Sequence, residues 1–132
     1  MSITQFAMAH DKDPADVIRE EVGDLSNIQV FHNLILVGIY KRPEKTKGGI
    51  IITQKSADEE RFQGVVGLVL KVGPTAFRND ANNDFAGQTV EPGMWCVYRT
   101  SDTHKVSVNG VVCRLLEDAH VKMVVDHPDR VL

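Results

Sequence analysis

Lys105-Val106-Ser107-Val108-Asn109-Gly110-Val111-Val112-Cys113-Arg114-Leu115 is the stretch that decides the fold class. Apolar residues alternate with others on both sides of Asn109-Gly110, and a period of two puts every second side chain on one face of a strand. A two-residue connection between such runs closes as a type I′ turn, whose central residues both need positive φ. Asn and Gly are the residues that accept it. The stretch therefore predicts a β-hairpin, and with it antiparallel sheet.

Outward from the hairpin the same grammar repeats. Met94-Trp95-Cys96-Val97-Tyr98 is entered through Pro92-Gly93, and residues 65–72 form a Val- and Leu-rich run closed by Gly73-Pro74. Ile28-Gln29-Val30-Phe31 leads through His32-Asn33 into Leu34-Ile35-Leu36-Val37-Gly38-Ile39-Tyr40, too short for a helix assignment and rich in β-branched residues. Val121-Lys122-Met123-Val124-Val125 supplies a last strand. Short strands separated by turn signals predict an all-β chain, a small antiparallel barrel or sandwich. His32-Asn33 reads as a turn or barrel corner rather than as a catalytic base.

Residues 1–27 read differently. Asp13-Pro14 is a helix start, a side-chain acceptor followed by Pro at the first helical position, and Asp16 favours the positive end of the dipole. Ile18, Val22 and Leu25 make an apolar stripe, Arg19, Glu20 and Glu21 fill the other side, and Gly23 offers a stop. A short amphipathic helix is expected, stabilised by whatever surface it covers.

The chain has 132 residues, 42% of them hydrophobic and 25% charged, as expected for one globular domain rather than two or a disordered chain. Fifteen Lys plus Arg against eighteen Asp plus Glu give a net charge of -3, which offers no general attraction for nucleic acid or anionic lipid. The longest apolar stretch, residues 34–40, is far short of the roughly 20 needed to cross a bilayer. With no signal-peptide pattern at the start, a cytoplasmic location is expected. Cys96 and Cys113 then read as buried reduced thiols, with a cross-strand disulfide as the alternative.

Enzyme chemistry finds no support. There is no Gly-x-Ser-x-Gly elbow, phosphate-binding loop, dinucleotide glycine spacing or His-Glu-x-x-His helix, and His10, His32, His104, His120 and His127 stand singly. No catalytic residue, metal site or cofactor is assigned. Asp58-Glu59-Glu60 reads as a solvated face, and Trp95, Tyr98 and Phe77 are too dispersed for a nucleic-acid stacking platform.

Two segments are longer than ordinary strand connections, 41–63 and 75–90. The first is charged at both ends and carries Gly48-Gly49-Ile50-Ile51-Ile52-Thr53 in its middle. It reads either as a polar loop with one aliphatic patch that orders on binding, or as a further core strand after a Gly-Gly turn. The pattern alone leaves both open.

The order of parts is similar to that of the GroES-type co-chaperonins. Phe31-His32-Asn33-Leu34-Ile35-Leu36-Val37 feeds Lys41-Arg42. Thr46-Lys47-Gly48-Gly49-Ile50-Ile51-Ile52 follows, then Gln63-Gly64-Val65-Val66 and a strand ending in Val72-Gly73. Val90-Glu91-Pro92-Gly93-Met94-Trp95-Cys96-Val97-Tyr98 and residues 108–125 resemble the family's later core strand, closing hairpin and terminal strand.

The resemblance implies a small irregular GroES-like β-barrel over 28–132, preceded by the helical extension 1–27. It also implies a homo-oligomeric, heptameric ring that acts as a non-enzymatic lid on a GroEL-type chaperonin. By position, Ile50, Ile51 and Ile52 would dock on chaperonin apical domains, with Gly48, Gly49 and Thr53 completing the contact segment of a mobile loop at 41–63. The roof of the dome would fall within the insertion 75–90, and residues 28–36 and 121–125 would link neighbouring subunits.

The chain departs from the pattern in its 27 leading residues, in a roof segment not rich in acidic residues, and in Thr100-Ser101-Asp102-Thr103-His104, which lacks glycine. Such departures resemble the divergent members encoded by bacteriophages. They also keep a second reading in view, a virion-associated or adaptor structural protein that reuses the barrel. A third, an enzyme fragment akin to the GroES-like catalytic domain of medium-chain dehydrogenases, lacks the dinucleotide domain and the metal-ligand arrangement.

Overall fold

Asp13 accepts a hydrogen bond from the Ala15 N–H at 2.9 Å and opens α1 (Pro14–Val22), which closes where Gly23 takes φ 67. The computed structural model describes residues 12–40, 66–81 and 84–131. Within them six strands follow the helix: β1 (Leu34–Ile39), β2 (Val66–Val72), β3 (Trp95–Val97), β4 (His104–Val108), β5 (Val111–Glu117) and β6 (Met123–Val125). Short 3-10 turns occupy Thr100–Asp102, Asp118–His120 and Pro128–Val131.

All pairings are antiparallel, in the order β4-β5-β1-β2-β3-β6. The predicted hairpin is β4–β5, paired from Val108↔Val111 out to His104↔Leu115, with Asn109 at φ 50 and Gly110 at φ 82. Both dihedrals are the positive ones that a type I′ turn demands. A register shift between Leu36 and Val37 in the β1–β2 ladder marks a bulge, a feature that bends a strand and steepens its twist. The described residues are mostly β with one short helix, the small barrel-type architecture the sequence predicts.

The central strands are covered on both faces. Ile35 and Val37 join Val69, Val90, Cys96, Tyr98 and Leu116 in one cluster, while Leu36 joins Tyr40, Leu68, Trp95 and Cys113 in the other. Helix α1 completes this second cluster with Ala15, Ile18 and Val22. Gly38 makes that fit possible, because a Cβ there would collide with the Cγ2 of Ile18. A nine-residue helix is marginal in water by itself, and burying Ile18 and Val22 contributes about 1.5–3 kcal/mol each.

Two expectations resolve on physical grounds. Residues 28–31 join no strand: the chain turns at His32 (φ 57), and the Ile28 carbonyl accepts from the Lys71 ammonium at 2.6 Å instead of from a ladder partner. Cys96 and Cys113 are buried, with no disulfide between them. They sit on β3 and β5 with β1 and β2 between, in different core clusters.

Candidate functional site

The sequence-predicted contact residues Gly48, Gly49, Ile50, Ile51, Ile52 and Thr53 lie outside the described residues. What the structure places is the frame from which they are carried. Tyr40 and Val66 flank segment 41–65 in the sequence and are neighbours in space: the Tyr40 N–H donates to the Val66 carbonyl at 3.4 Å. One step inside, Ile39 pairs with Gly67 across β1 and β2. Tyr40 and Val66 are both buried, so the residues on either side of the segment are anchored in the core.

Three further contacts hold this root. The Tyr40 phenol donates to Asp129 Oδ1 at 2.5 Å, and its ring meets Trp95 edge-on at 5.8 Å. Asp129 itself is buried, and its N–H donates to His127 Nδ1 at 3.1 Å. The turn at Pro128–Val131 therefore braces the end of β1. Gly67 can be nothing larger without displacement, since a Cβ would stand 3.0 Å from the Gly38 carbonyl and 3.1 Å from the Tyr98 ring.

The second long segment has a different anchor. Asp118 is buried and accepts from Asn33 Nδ2 at 3.1 Å, from the Phe77 N–H at 2.9 Å and from its neighbour Ala119 N–H. Three donors on one carboxylate fix the barrel corner, the start of the 75–90 segment and the turn after β5 to a single point. Phe77 (φ 62) packs its ring edge-on against Phe85 at 5.3 Å, and the Phe85 N–H donates to Asn79 Oδ1 at 2.7 Å. The described part of 75–90 is thus a tied set of turns, with no strand among the described residues. Neither Asp118 nor Asp129 was picked out by sequence; each acts through partners far along the chain.

At the sheet edge, β6 is paired with β3 on one side and exposes Met123 (47%) and Val124 (46%). Of residues 28–36, Ile35 and Leu36 are fully enclosed within the subunit, and Phe31, 56% exposed, is the large apolar side chain at the surface.

Burial leaves little acid–base chemistry to the core. Desolvation pushes the Cys96 thiol up to about 12 and raises the Tyr98 phenol as well, which disfavours both anions. Among the described residues no group of three His, Cys, Asp or Glu is placed to hold a metal ion.

A β1–β2 pair separated by a long stretch of sequence, a β4–β5 hairpin and an edge strand near the end of the chain occur in the order of one family. The profile of the chaperonin 10 Kd subunit matches residues 27–125. The chain belongs to that family. The match takes in every strand from β1 to β6 and the whole of segment 41–65, and leaves α1 outside it. No curated protein matches the chain. Chaperonin 10 proteins are non-enzymatic co-chaperonins that form oligomeric rings and work with a GroEL-type chaperonin. No helix among the described residues is long and apolar enough to cross a membrane.

Proposed function

We propose that this chaperonin 10 protein is the lid of a chaperonin folding chamber, and that it closes the chamber in a nucleotide-dependent way. The observation that carries the reading is the family match over 27–125, which encloses the Gly-Gly-Ile-Ile-Ile-Thr segment between β1 and β2. In this proposal Ile50, Ile51 and Ile52 dock on the apical domains, Gly48 and Gly49 let the segment reshape, and Thr53 ends it. Residues 41–63 are the mobile loop, 75–90 the roof, 28–132 the barrel and 1–27 an extension. Seven copies form the ring, and the protein works in the cytoplasm.

Energetics favour a closed ring over a single contact. Burying three isoleucines contributes roughly 6–9 kcal/mol at about 2–3 each. Ordering about seven loop residues costs on the order of 7–14 kcal/mol in backbone entropy. One loop therefore binds weakly. Several loops on one ring bind together, because every contact after the first is intramolecular. The ordering cost keeps each contact weak enough for the lid to come off.

Size-exclusion co-elution with a purified GroEL-type chaperonin, with and without ADP, tests the proposal. Co-elution that requires nucleotide is the expected result. A folded ring that ignores both a standard bacterial chaperonin and that of its own host would overturn it in favour of a structural, virion-associated role.

A further inference from the structure

The chaperonin reading gives no task to the turn of the β4–β5 hairpin, yet this turn touches the part of the chain that lies outside the family match. Asn109 Nδ2 donates to the Val22 carbonyl at 2.6 Å and to the Asp24 carbonyl at 3.1 Å. Val22 is the last residue of α1, so its carbonyl is one of those a helix leaves unpaired at its negative end. One side-chain amide thus spans from the far hairpin to the end of the helix and clasps α1 onto the sheet.

The residue holding this clasp is chemically labile. Asn109-Gly110 is the one Asn-Gly pair in the sequence, and both residues are exposed. Gly110 has no side chain to shield its amide nitrogen, and nothing lies within 4 Å of where a Cβ would stand. We propose that Asn109 is a spontaneous deamidation site whose modification unlatches α1. The Gly110 backbone nitrogen attacks Asn109 Cγ, a C–N bond forms, and the Cγ–Nδ2 bond breaks. Ammonia leaves, taking up the proton lost from the Gly110 amide. Water then opens the resulting succinimide at either carbonyl to give aspartate or isoaspartate.

Either product defeats the clasp. A carboxylate only accepts hydrogen bonds, so two donors are replaced by a negative charge facing two carbonyl oxygens at the negative end of a helix. Isoaspartate also adds a backbone carbon to a two-residue turn and disturbs the adjoining Val108↔Val111 pair. The reaction and the latch oppose each other. While the amide is engaged with Val22 and Asp24 and the turn keeps both φ values positive, Cγ is held in place. When α1 lifts, the turn is freed to react and cannot clasp again. The site therefore acts as a one-way timer on helix docking.

Full-length protein aged in mildly alkaline buffer tests this directly. Peptide 106–114, the tryptic product containing the turn, should gain about 1 Da with time. Hydrogen exchange of residues 14–25 in the modified fraction should speed up by about tenfold or more, the effect of losing two hydrogen bonds and gaining a repulsion. Exchange in β1 should stay as it was. Asn109→Asp should reproduce that pattern. Asn109→Gly, which keeps the turn but cannot deamidate, should loosen α1 by less. Two results would overturn the proposal: a modified fraction in which α1 is as protected as before ageing, or a folded protein whose 106–114 peptide gains no mass while the urea-unfolded chain does.

Discussion

Tyr40 and Asp129, 89 positions apart in sequence, meet in the core where the phenol donates to the carboxylate at 2.5 Å. Tyr40 follows β1 at the threshold of segment 41–65, and Asp129 lies in the turn Pro128–Val131. The last turn of the described chain therefore holds the root of the loop proposed to bind chaperonin. Tyr40→Phe keeps the ring against Trp95 but leaves a buried carboxylate short of a donor, which costs about 1–3 kcal/mol. Urea denaturation should show a lower midpoint at unchanged slope.

Gly38 and Ile18 set the distance between helix and sheet. Gly38→Ala places a methyl against Ile18 in a packed interior, and overpacking of this kind costs about 1–3 kcal/mol. Ile18→Ala alone also destabilises, by about 2–5 kcal/mol. Combined, the two should cost less than their sum, since the second change makes room for the first. A double-mutant cycle from thermal or urea unfolding measures the coupling, and strict additivity would show that α1 does not pack there.

Asp118 gives a third prediction. Asp118→Ala removes the common acceptor for Asn33 and the Phe77 and Ala119 amides, and should cost about 2–4 kcal/mol. The loss should be local before it is global. Hydrogen exchange at residues 75–79 should accelerate more than at β1 or β5, because the ring contact between Phe77 and Phe85 cannot by itself replace the anchor.

These three sites also mark how far sequence alone could reach. The β4–β5 hairpin and α1 were readable because their signals are local: Asn109-Gly110 meets the φ demand of one turn, and Asp13-Pro14 through Gly23 states where a helix starts and stops. Asp118 and Asp129 were not, since a carboxylate announces neither its burial nor a partner more than 40 or 80 positions away. Residues 28–31 read as strand because apolar content cannot distinguish a ladder from a segment whose carbonyl is taken by Lys71. Ile50, Ile51 and Ile52 carry the same ambiguity between loop and strand. The family match supplies a context for them, and their role remains the proposal above.

Cys96 sets a pH dependence. Burial pushes its thiol from the ordinary value of 9.0 up to about 12. Below the lower value both states hold the proton and the group contributes no pH dependence. Between the two, the unfolded chain binds fewer protons than the folded one, so stability falls as pH rises. Tyr98, raised by the same burial, adds to the fall at the alkaline end. Urea midpoints should decline from pH 9 toward 12, and Cys96→Ala should flatten the first part of that decline. Native Cys96 should also resist alkylation near neutral pH and react on unfolding, as mass spectrometry of the labelled peptide would show.

Ile51→Asp separates the loop reading of 41–63 from the core-strand reading. A carboxylate in the middle of the Ile50-Ile51-Ile52 triplet cannot enter an apolar groove without a desolvation cost of several kcal/mol, far more than a weak single contact can offset. Because every subunit of a ring would carry the change, avidity multiplies the loss instead of rescuing it. Nucleotide-dependent co-elution with chaperonin should vanish, while ring size by light scattering, far-UV circular dichroism and melting temperature stay within error of the unmodified protein. If the triplet were a core strand, the same charge would be buried without a partner. The variant would then aggregate or melt at a much lower temperature before any question of binding arose.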